Sequence, residues 1–480
     1  MRTSTSSARI TLLVLATAAA SFSMLQSLVS PALPVIQRDL HTSQGTVTWT
    51  LTAWLLSASV ATPLLGRIGD LAGKKRTLLI ALAAVAAGSL IAALAPTIGV
   101  LIAGRVVQGL GGAIFPLAFG IVHDEFPAER VPSLVGILSA VIAGGGGLGI
   151  VLAGPVVQNL DWRWLFWIPL VVIGLAMLAA YRFVPESPSR HPGRVDWFAA
   201  AALSSWLVAL LLPLSKATVW GWGSGRTTGL LVLAVVLFAG WVAIELRSRN
   251  PLIDMRMMRL PAVWTTNLVA LLFGAAMFAV YAFVPQFMQV PASTGYGFGA
   301  TVTRAGLLML PMLVGMALAG SLSGPVAPRF DVKAQLILGS AFGFVSCTAF
   351  ALFHDRPWQV AAAGGVFGLG IGLAYASMTS LIVQNVPQHQ TGAASGMNAN
   401  IRTIGGSIGT AVVSSIITAH TATNGLPREA GFTDAFIVLA ALSAAAVLLA
   451  LLVPAARRRG SSAPAPVAPV APALQSVETH

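Results

Sequence analysis

The stretch Gly66-Arg67-Ile68-Gly69-Asp70-Leu71-Ala72-Gly73-Lys74-Lys75-Arg76 gathers three spaced glycines, one carboxylate and a run of cations. Gly66, Gly69 and Gly73 allow a tight turn and close helix approach. Asp70 can then face a neighbouring helix end and the cations Lys74, Lys75 and Arg76 across a loop. A phosphate loop is excluded, because Gly69 to Gly73 is too short for the Walker spacing and Lys75 stands where Ser or Thr is needed. Two further cations lie in apolar surroundings: Arg105, followed by Gln108 and Gly109, and Arg402. A charge near mid-span costs about 2.5–3.5 kcal/mol on insertion scales, so it normally faces a partner or a wet cavity. With Gln26, Asn267, Gln286, Asn398 and Asn400, these residues form the candidate coupling and cavity set. The chain has no HExxH, GxSxG or paired-cysteine motif, and Cys347 is its single cysteine. No enzyme activity, catalytic residue, metal site or cofactor is therefore expected.

The elements that position these residues follow from composition. Hydrophobic residues make up 56% of the 480 and charged residues 9%, against about 25% charged in soluble domains. Apolar runs recur at 10–36, 46–69, 77–95, 98–122, 132–158, 163–184, 196–214, 227–246, 262–290, 303–325, 333–353, 357–384, 391–419 and 431–453. Each is long enough to cross a hydrocarbon core of about 30 Å, which predicts an all-α polytopic membrane protein with fourteen spans embedded in the lipid bilayer. The first span is expected to remain in place rather than be cleaved.

The net charge of +13 is a topology signal. No basic stripe with interleaved aromatics occurs, so nucleic acid is not an expected partner. Nineteen Lys+Arg fall on one side of the fourteen spans and seven on the other, with Arg105 and Arg402 inside. The positive-inside rule makes the rich side cytoplasmic, with both termini there. The ratio of 24 Arg to 4 Lys and the Ala/Gly richness suggest a GC-rich bacterial source.

Proline-rich 185–195 interrupts the run after the sixth span, and a basic segment precedes the ninth. The expected organisation is 1–184, a six-helix bundle; 185–260, a linker with two inserted helices; 261–456, a second six-helix bundle; and 457–480, a disordered tail, basic and then Pro/Ala-rich. Gly109-Leu-Gly111, Pro127 and Gly136 recur at similar offsets as Gly368-Leu-Gly370, Pro387 and Gly396. Such repeated halves suit a transporter with a midplane site between two bundles.

The fifth span carries Gly145, Gly149, Gly154 and Pro155, small residues at helical spacing followed by a proline, which favours close packing and a bend. Taken together the motifs resemble those of the major facilitator superfamily. Gly66 to Arg76 resembles its signature cytoplasmic gating loop, and Arg105-Val-Val-Gln108-Gly109 its fourth-helix motif, associated there with proton coupling. The Gly149…Gly154-Pro155 element is similar to its antiporter motif. Asp161-Trp162-Arg163, Val195-Asp196-Trp197, Glu245 with Pro251-Leu-Ile-Asp254, and Gly392…Arg402 resemble segments of its fourteen-span drug:proton antiporters. The resemblance implies the major facilitator fold, two six-helix bundles plus two inserted helices. It also implies a monomeric proton antiporter that exports drug-like or secondary-metabolite amphiphiles by rocking of the bundles.

Two departures matter. Gln158-Asn159 stand where the antiporter motif continues with glycines, and the first span lacks the aspartate usual in these antiporters. All fifteen acids fall in loops, tails or span ends. A lipophilic cation is best served by a buried carboxylate, so neutral, zwitterionic or anionic amphiphiles are the expected substrates. Asp39 or Asp434 at the outer side, Asp70 at the inner side, or no side chain at all remain as proton carriers. The alternative function is an importer or exchanger of an anionic small molecule using Arg105 and Arg402. A receptor lacks the necessary extramembrane domain, and a channel would not need the gating motif.

Overall fold

A computed structural model describes residues 5–454 apart from 128–129, 187–194, 249–250, 328, 388–389, 421 and 423–425. Fourteen helices among these residues are long and apolar enough to cross a membrane. A helix satisfies its own backbone hydrogen bonds, which hydrocarbon requires of any spanning segment. In chain order they are α1 (Thr5–Leu28), α2 (Trp49–Ala72), α3 (Lys74–Ala93), α4 (Ile98–Glu125), α5 (Val131–Asn159), α6 (Trp164–Phe183) and α7 (Trp197–Trp220). There follow α8 (Gly225–Arg247), α9 (Pro261–Gln289), α10 (Val302–Val326), α11 (Val332–Leu352), α12 (Pro357–Asn385), α13 (Thr391–Ala419) and α14 (Glu429–Leu452). The expected tail 457–480 lies outside the described residues, as does most of the proline-rich segment 185–195.

Several boundaries differ from the hydropathy reading: α7 runs to Trp220 rather than 214, and the first and third spans also differ. The first span stops at Leu28 and continues as a 3-10 turn, Ser30–Ala32, and a short helix, Leu33–Asp39. Pro31 and Pro34 lack the N–H needed to extend α1. The third span begins at Lys74 rather than 77, so the glycine-rich stretch is not an extended loop. Gly66, Gly69 and Asp70 belong to α2, Lys74 to Arg76 form the first turn of α3, and Gly73 alone joins the helices. Gly73 has φ +114°, a conformation that costs glycine little and other residues much.

One apolar core draws on residues 14 to 184, with Tyr375 and Val383 reaching into it, and another on residues 269 to 453. A third links α7 and α8 to Ile382, Ala394, Met397 and Ile404 of α12 and α13, with Leu56 and Leu64 of α2 against it. The inserted pair therefore lies over the seam between α2 and α13. Asp196 caps α7 by accepting from the backbone N–H groups of Phe198 and Ala199 at 3.0 Å each. At the other end Lys216 donates to Thr48 Oγ1 at 2.8 Å, and Trp222 Nε1 donates to Ser415 Oγ at 2.7 Å. The hairpin thus holds both halves.

Candidate functional site

At the end where the basic residues gather, α2 of the first half meets α13 of the second. A Cβ on Gly66 would lie 2.9 Å from the Gly392 carbonyl oxygen, and one on Gly396 3.1 Å from that of Thr62. The missing side chains allow this approach, and it brings Asp70 to the start of α13. There the Ala393 backbone N–H donates to Asp70 Oδ2 at 3.2 Å. The first N–H groups of a helix lack intrahelical partners and carry partial positive charge, so an acid is favoured there.

Asp70 is also tied within its own half. Lys74 Nζ stands 3.8 Å from Asp70 Oδ1 and 2.7 Å from Asp124 Oδ2, and it donates to the Gly120 carbonyl at 3.4 Å. Lys74 and Asp70 are 1% and 2% exposed. A lysine so buried requires paired charge, and α2, α3 and α4 supply it jointly. Glu186, just beyond α6, accepts from the Lys75 backbone N–H at 3.2 Å. Lys75 itself is half-buried over the Tyr181 ring, and Arg76 is exposed. Of the basic run, only Lys74 belongs to the buried cluster.

The two interior arginines occupy different depths and different halves. Arg105 is seven residues from the start of α4, about 10 Å from the end opposite the basic one at 1.5 Å per residue. It is fully buried. Its Nε donates to the Thr50 carbonyl at 3.1 Å, and its Nη1 to Gln108 Oε1 at 2.8 Å and to the Leu25 carbonyl at 3.4 Å. The guanidinium also lies 5.3 Å from the Trp54 ring centre, while Nη2 has no hydrogen-bond partner. Gln108 passes the network on to Ser89 Oγ at 2.8 Å. Gly109 packs against Ser57 and Ala58. These contacts pin α1, α2, α3 and α4 together.

Arg402 lies about 16 Å into α13 from the basic end by the same rise. Its Nη2 donates to the Tyr375 hydroxyl at 2.8 Å, with the guanidinium 4.0 Å from that ring, and its Nη1 reaches Asn398 Oδ1 at 3.4 Å. Asn398 Nδ2 donates to Asn267 Oδ1 at 2.8 Å, so α9, α12 and α13 share one buried polar network. Asn400 points elsewhere and donates to the Ser59 carbonyl of α2 at 2.6 Å, a second bond across the seam. Gln26 is half-buried and Gln286 exposed, and no described hydrogen bond brings either into the network. Tyr375 and Asp124 were not singled out by sequence. Nothing in the local pattern around either marks them, since each gains its role from another helix.

The glycines of α5 divide their contacts. Gly145 and Gly149 face Ala20, Met24 and Ser27 of α1, while Gly154 faces Thr303 of α10 in the other half. Ser27 Oγ donates to the Gly146 carbonyl. Pro155 sits inside the helix near its end. Thr303 Oγ1 donates to Gln158 Oε1 at 3.1 Å, so a residue that departs from the glycine pattern bonds across the halves. At the opposite end of the same pair, Gly324 packs on Ser133 and a Cβ on Gly136 would lie 3.0 Å from the Gly320 carbonyl oxygen. The α5 and α10 contact therefore runs the length of both helices.

The acids considered as proton carriers are engaged. Asp39 Oδ2 accepts from Trp162 Nε1 at 2.9 Å, and Asp434 Oδ2 lies 3.6 Å from His420 Nε2. Glu245 is buried and accepts from Trp241 Nε1 at 3.1 Å. Asp254 caps a short helix through the Arg256 backbone N–H at 2.8 Å. Among the described residues no group of three His, Cys, Asp or Glu could hold a metal ion.

Comparison with known proteins agrees with this architecture. A family model described as Major Facilitator Superfamily matches residues 15–410. The Tetracenomycin C resistance and export protein of Streptomyces glaucescens is 30% identical over 414 residues, 84% of this chain and 74% of that protein. The Methylenomycin A resistance protein of Streptomyces coelicolor is 30% identical over 404 residues, 82% of each chain. Multidrug resistance protein 3 of Bacillus subtilis is 24% identical over 397 residues, 82% of this chain and 76% of that protein. Among solved structures, the human organic anion transporter MFSD10 has a TM-score of 0.66 at 16% identity, covering 92% of this chain and 99% of its own. The proton:xylose symporter XylE has a TM-score of 0.66 at 13% identity, covering 93% and 96%. At these identities the two structures show the shared fold. The matching helices, the family model and the relatives together establish that this chain belongs to the major facilitator superfamily and is a multi-pass membrane transporter, not an enzyme.

Proposed function

We propose that the protein is a secondary active exporter of drug-like or secondary-metabolite amphiphiles, driven by proton antiport across the cytoplasmic membrane. Export is supported by its similarity to proteins named for antibiotic resistance and export. Alternating access is supported by the seam: Asp70 of one half accepts from the helix start of the other, a contact that rocking at the basic end would break. Both halves, 1–184 and 261–456, would move about the glycine-lined pairs α2/α13 and α5/α10, with both termini in the cytoplasm. Asp70 is the acid best placed to couple proton and gate. Ionised, it accepts the Ala393 N–H and faces Lys74; protonated, it loses most of the attraction to both.

Among the described residues, Arg105 and Arg402 have no carboxylate within their hydrogen-bonding partners. This favours neutral, zwitterionic or anionic amphiphiles over lipophilic cations, and it gives a second reading, import or exchange of an anionic small molecule, its one point of support. Everted vesicles separate the readings. With a charge-diverse panel, uptake that depends on an inward-acid gradient is expected for amphiphiles without net positive charge. If no compound moved against its gradient, antiport would be abandoned, and uptake of an anion in the opposite orientation alone would favour import.

A further inference from the structure

A second polar cluster lies at the far end of the second half, away from the seam and the interior arginines. His354 follows α11 and is 8% exposed. Its Nδ1 lies 2.8 Å from the Phe350 carbonyl oxygen and its Nε2 3.0 Å from Glu429 Oε1, at the first residue of α14. Phe350 is among the last four residues of α11, whose carbonyls lack intrahelical donors. A carbonyl can only accept, so the proton of a neutral imidazole must sit on Nδ1. Nε2 would then present a lone pair to a carboxylate oxygen, which also only accepts. Two acceptors 3.0 Å apart repel, and the arrangement is bonding only if one further proton lies between them.

The surroundings agree. The negative end of the α11 dipole favours an imidazolium, and the Phe287 ring of α9 lies nearly perpendicular to the His354 ring with ring centres 5.4 Å apart. The Glu429 side chain is 49% exposed, so the pair exchanges protons with water. Tyr296, from the connection after α9, donates to the Pro427 carbonyl at 2.5 Å. Its hydroxyl pKa is raised by burial and then by the Glu429 charge, so it stays a neutral donor. Asp355, Arg356 and Arg428 flank the pair and are exposed. His420, which ends α13, repeats the pattern more loosely: Nδ1 lies 3.0 Å from the Ile416 carbonyl and Nε2 3.6 Å from Asp434 of α14.

We propose that His354 and Glu429 form a proton-binding clasp between α11 and α14, which holds one exchangeable proton at the end opposite the basic residues and opens when that proton leaves. Both residues belong to one half, so the clasp braces that half and is not broken by rocking. Its ligand is the proton of the adjoining water.

Glu429→Gln separates the proton from the tie. A Gln amide N–H donates to the neutral Nε2, so the bond survives without the extra proton. The full-length protein, wild type and E429Q, is to be unfolded thermally from about pH 6 to pH 9, where an imidazole titrates. The wild type is expected to lose stability relative to E429Q as pH rises, by up to about tenfold in the unfolding equilibrium per pH unit for one proton. Groups that titrate in both proteins cancel in the difference, so parallel curves overturn the clasp. Nitrogen NMR of histidine-labelled wild type, with His354→Gln to assign the signal, gives a reading that does not depend on the folding of E429Q. A ring protonated on both nitrogens at low pH that keeps only its Nδ1 proton as pH rises supports the proposal, and a His354 that is neutral throughout the range overturns it.

Discussion

Asp70 of α2 accepts a hydrogen bond at 3.2 Å from the backbone of Ala393, a residue 323 positions away in α13. One oxygen thus belongs to the helix start of the other half, while its partner oxygen faces Lys74. Substituting Asp70→Asn removes the charge at nearly constant shape. A charge-assisted hydrogen bond contributes about 1.5–3 kcal/mol, so the closed basic end should lose roughly ten- to hundredfold in population. Cysteine labelling at Ala393→Cys, a buried position at the contact itself, should accelerate accordingly. An unchanged labelling rate would remove Asp70 from the gate.

Lys74 has more to lose than its partners. It stands within ion-pair distance of both Asp70 and Asp124, and breaking a buried pair typically costs about 3–5 kcal/mol. Lys74→Met should lower the thermal midpoint in detergent more than Asp70→Asn, and the double variant less than the sum of the two. Additive midpoints would show that the charges do not act together.

The Arg402 network reads as a charge and a ring held in one geometry. Arg402→Lys keeps the charge but loses the planar stack on Tyr375, whereas Tyr375→Phe keeps the ring and loses the 2.8 Å bond. If the network faces substrate, transport of anionic or zwitterionic compounds should fall about tenfold or more in Arg402→Gln, with Arg402→Lys intermediate. Strong ethidium efflux that is insensitive to Arg105→Ala and Arg402→Ala would contradict the substrate preference.

Close packing of α9 on α13 rests on glycine. A Cβ on Gly274 would collide with the Arg402 carbonyl oxygen, and one on Gly405 with that of Leu271. Neither obstacle is a flexible side-chain tip, so the helices must separate. Gly405→Val should cost about 1–3 kcal/mol, as overpacking does, and lower the yield of folded protein. Gly174→Val, where a Cβ meets nothing within 4 Å, is the control expected to match wild type.

Local features were legible where the physics is local. The length and apolarity of each span are properties of a single segment, and the hydropathy boundaries lie close to the helix ends except at the prolines after α1 and at the end of α7, which runs on to Trp220. Asp70 at a neighbouring helix end was legible too, because an acid beside spaced glycines has few other uses. The gap read between 69 and 77 is shorter in the structure, Gly73 alone, since hydropathy falls at the charges although the helices continue through them. Arg105 and Arg402 were legible as interior charges, but their partners were not.

By itself, then, the sequence determined a fourteen-span membrane protein, the motif set of its family and the absence of a carboxylate deep in any span. Tertiary structure alone decided which of the basic residues is buried, that Asp124 rather than a loop cation completes the Lys74 cluster, that Tyr375 lies under Arg402, and that His354 meets Glu429. The reason is geometric. Spans arise from the transfer of one segment from water to hydrocarbon, whereas a buried polar contact depends on the rotation and depth of two helices, fixed by glycine contacts and packing along their whole length.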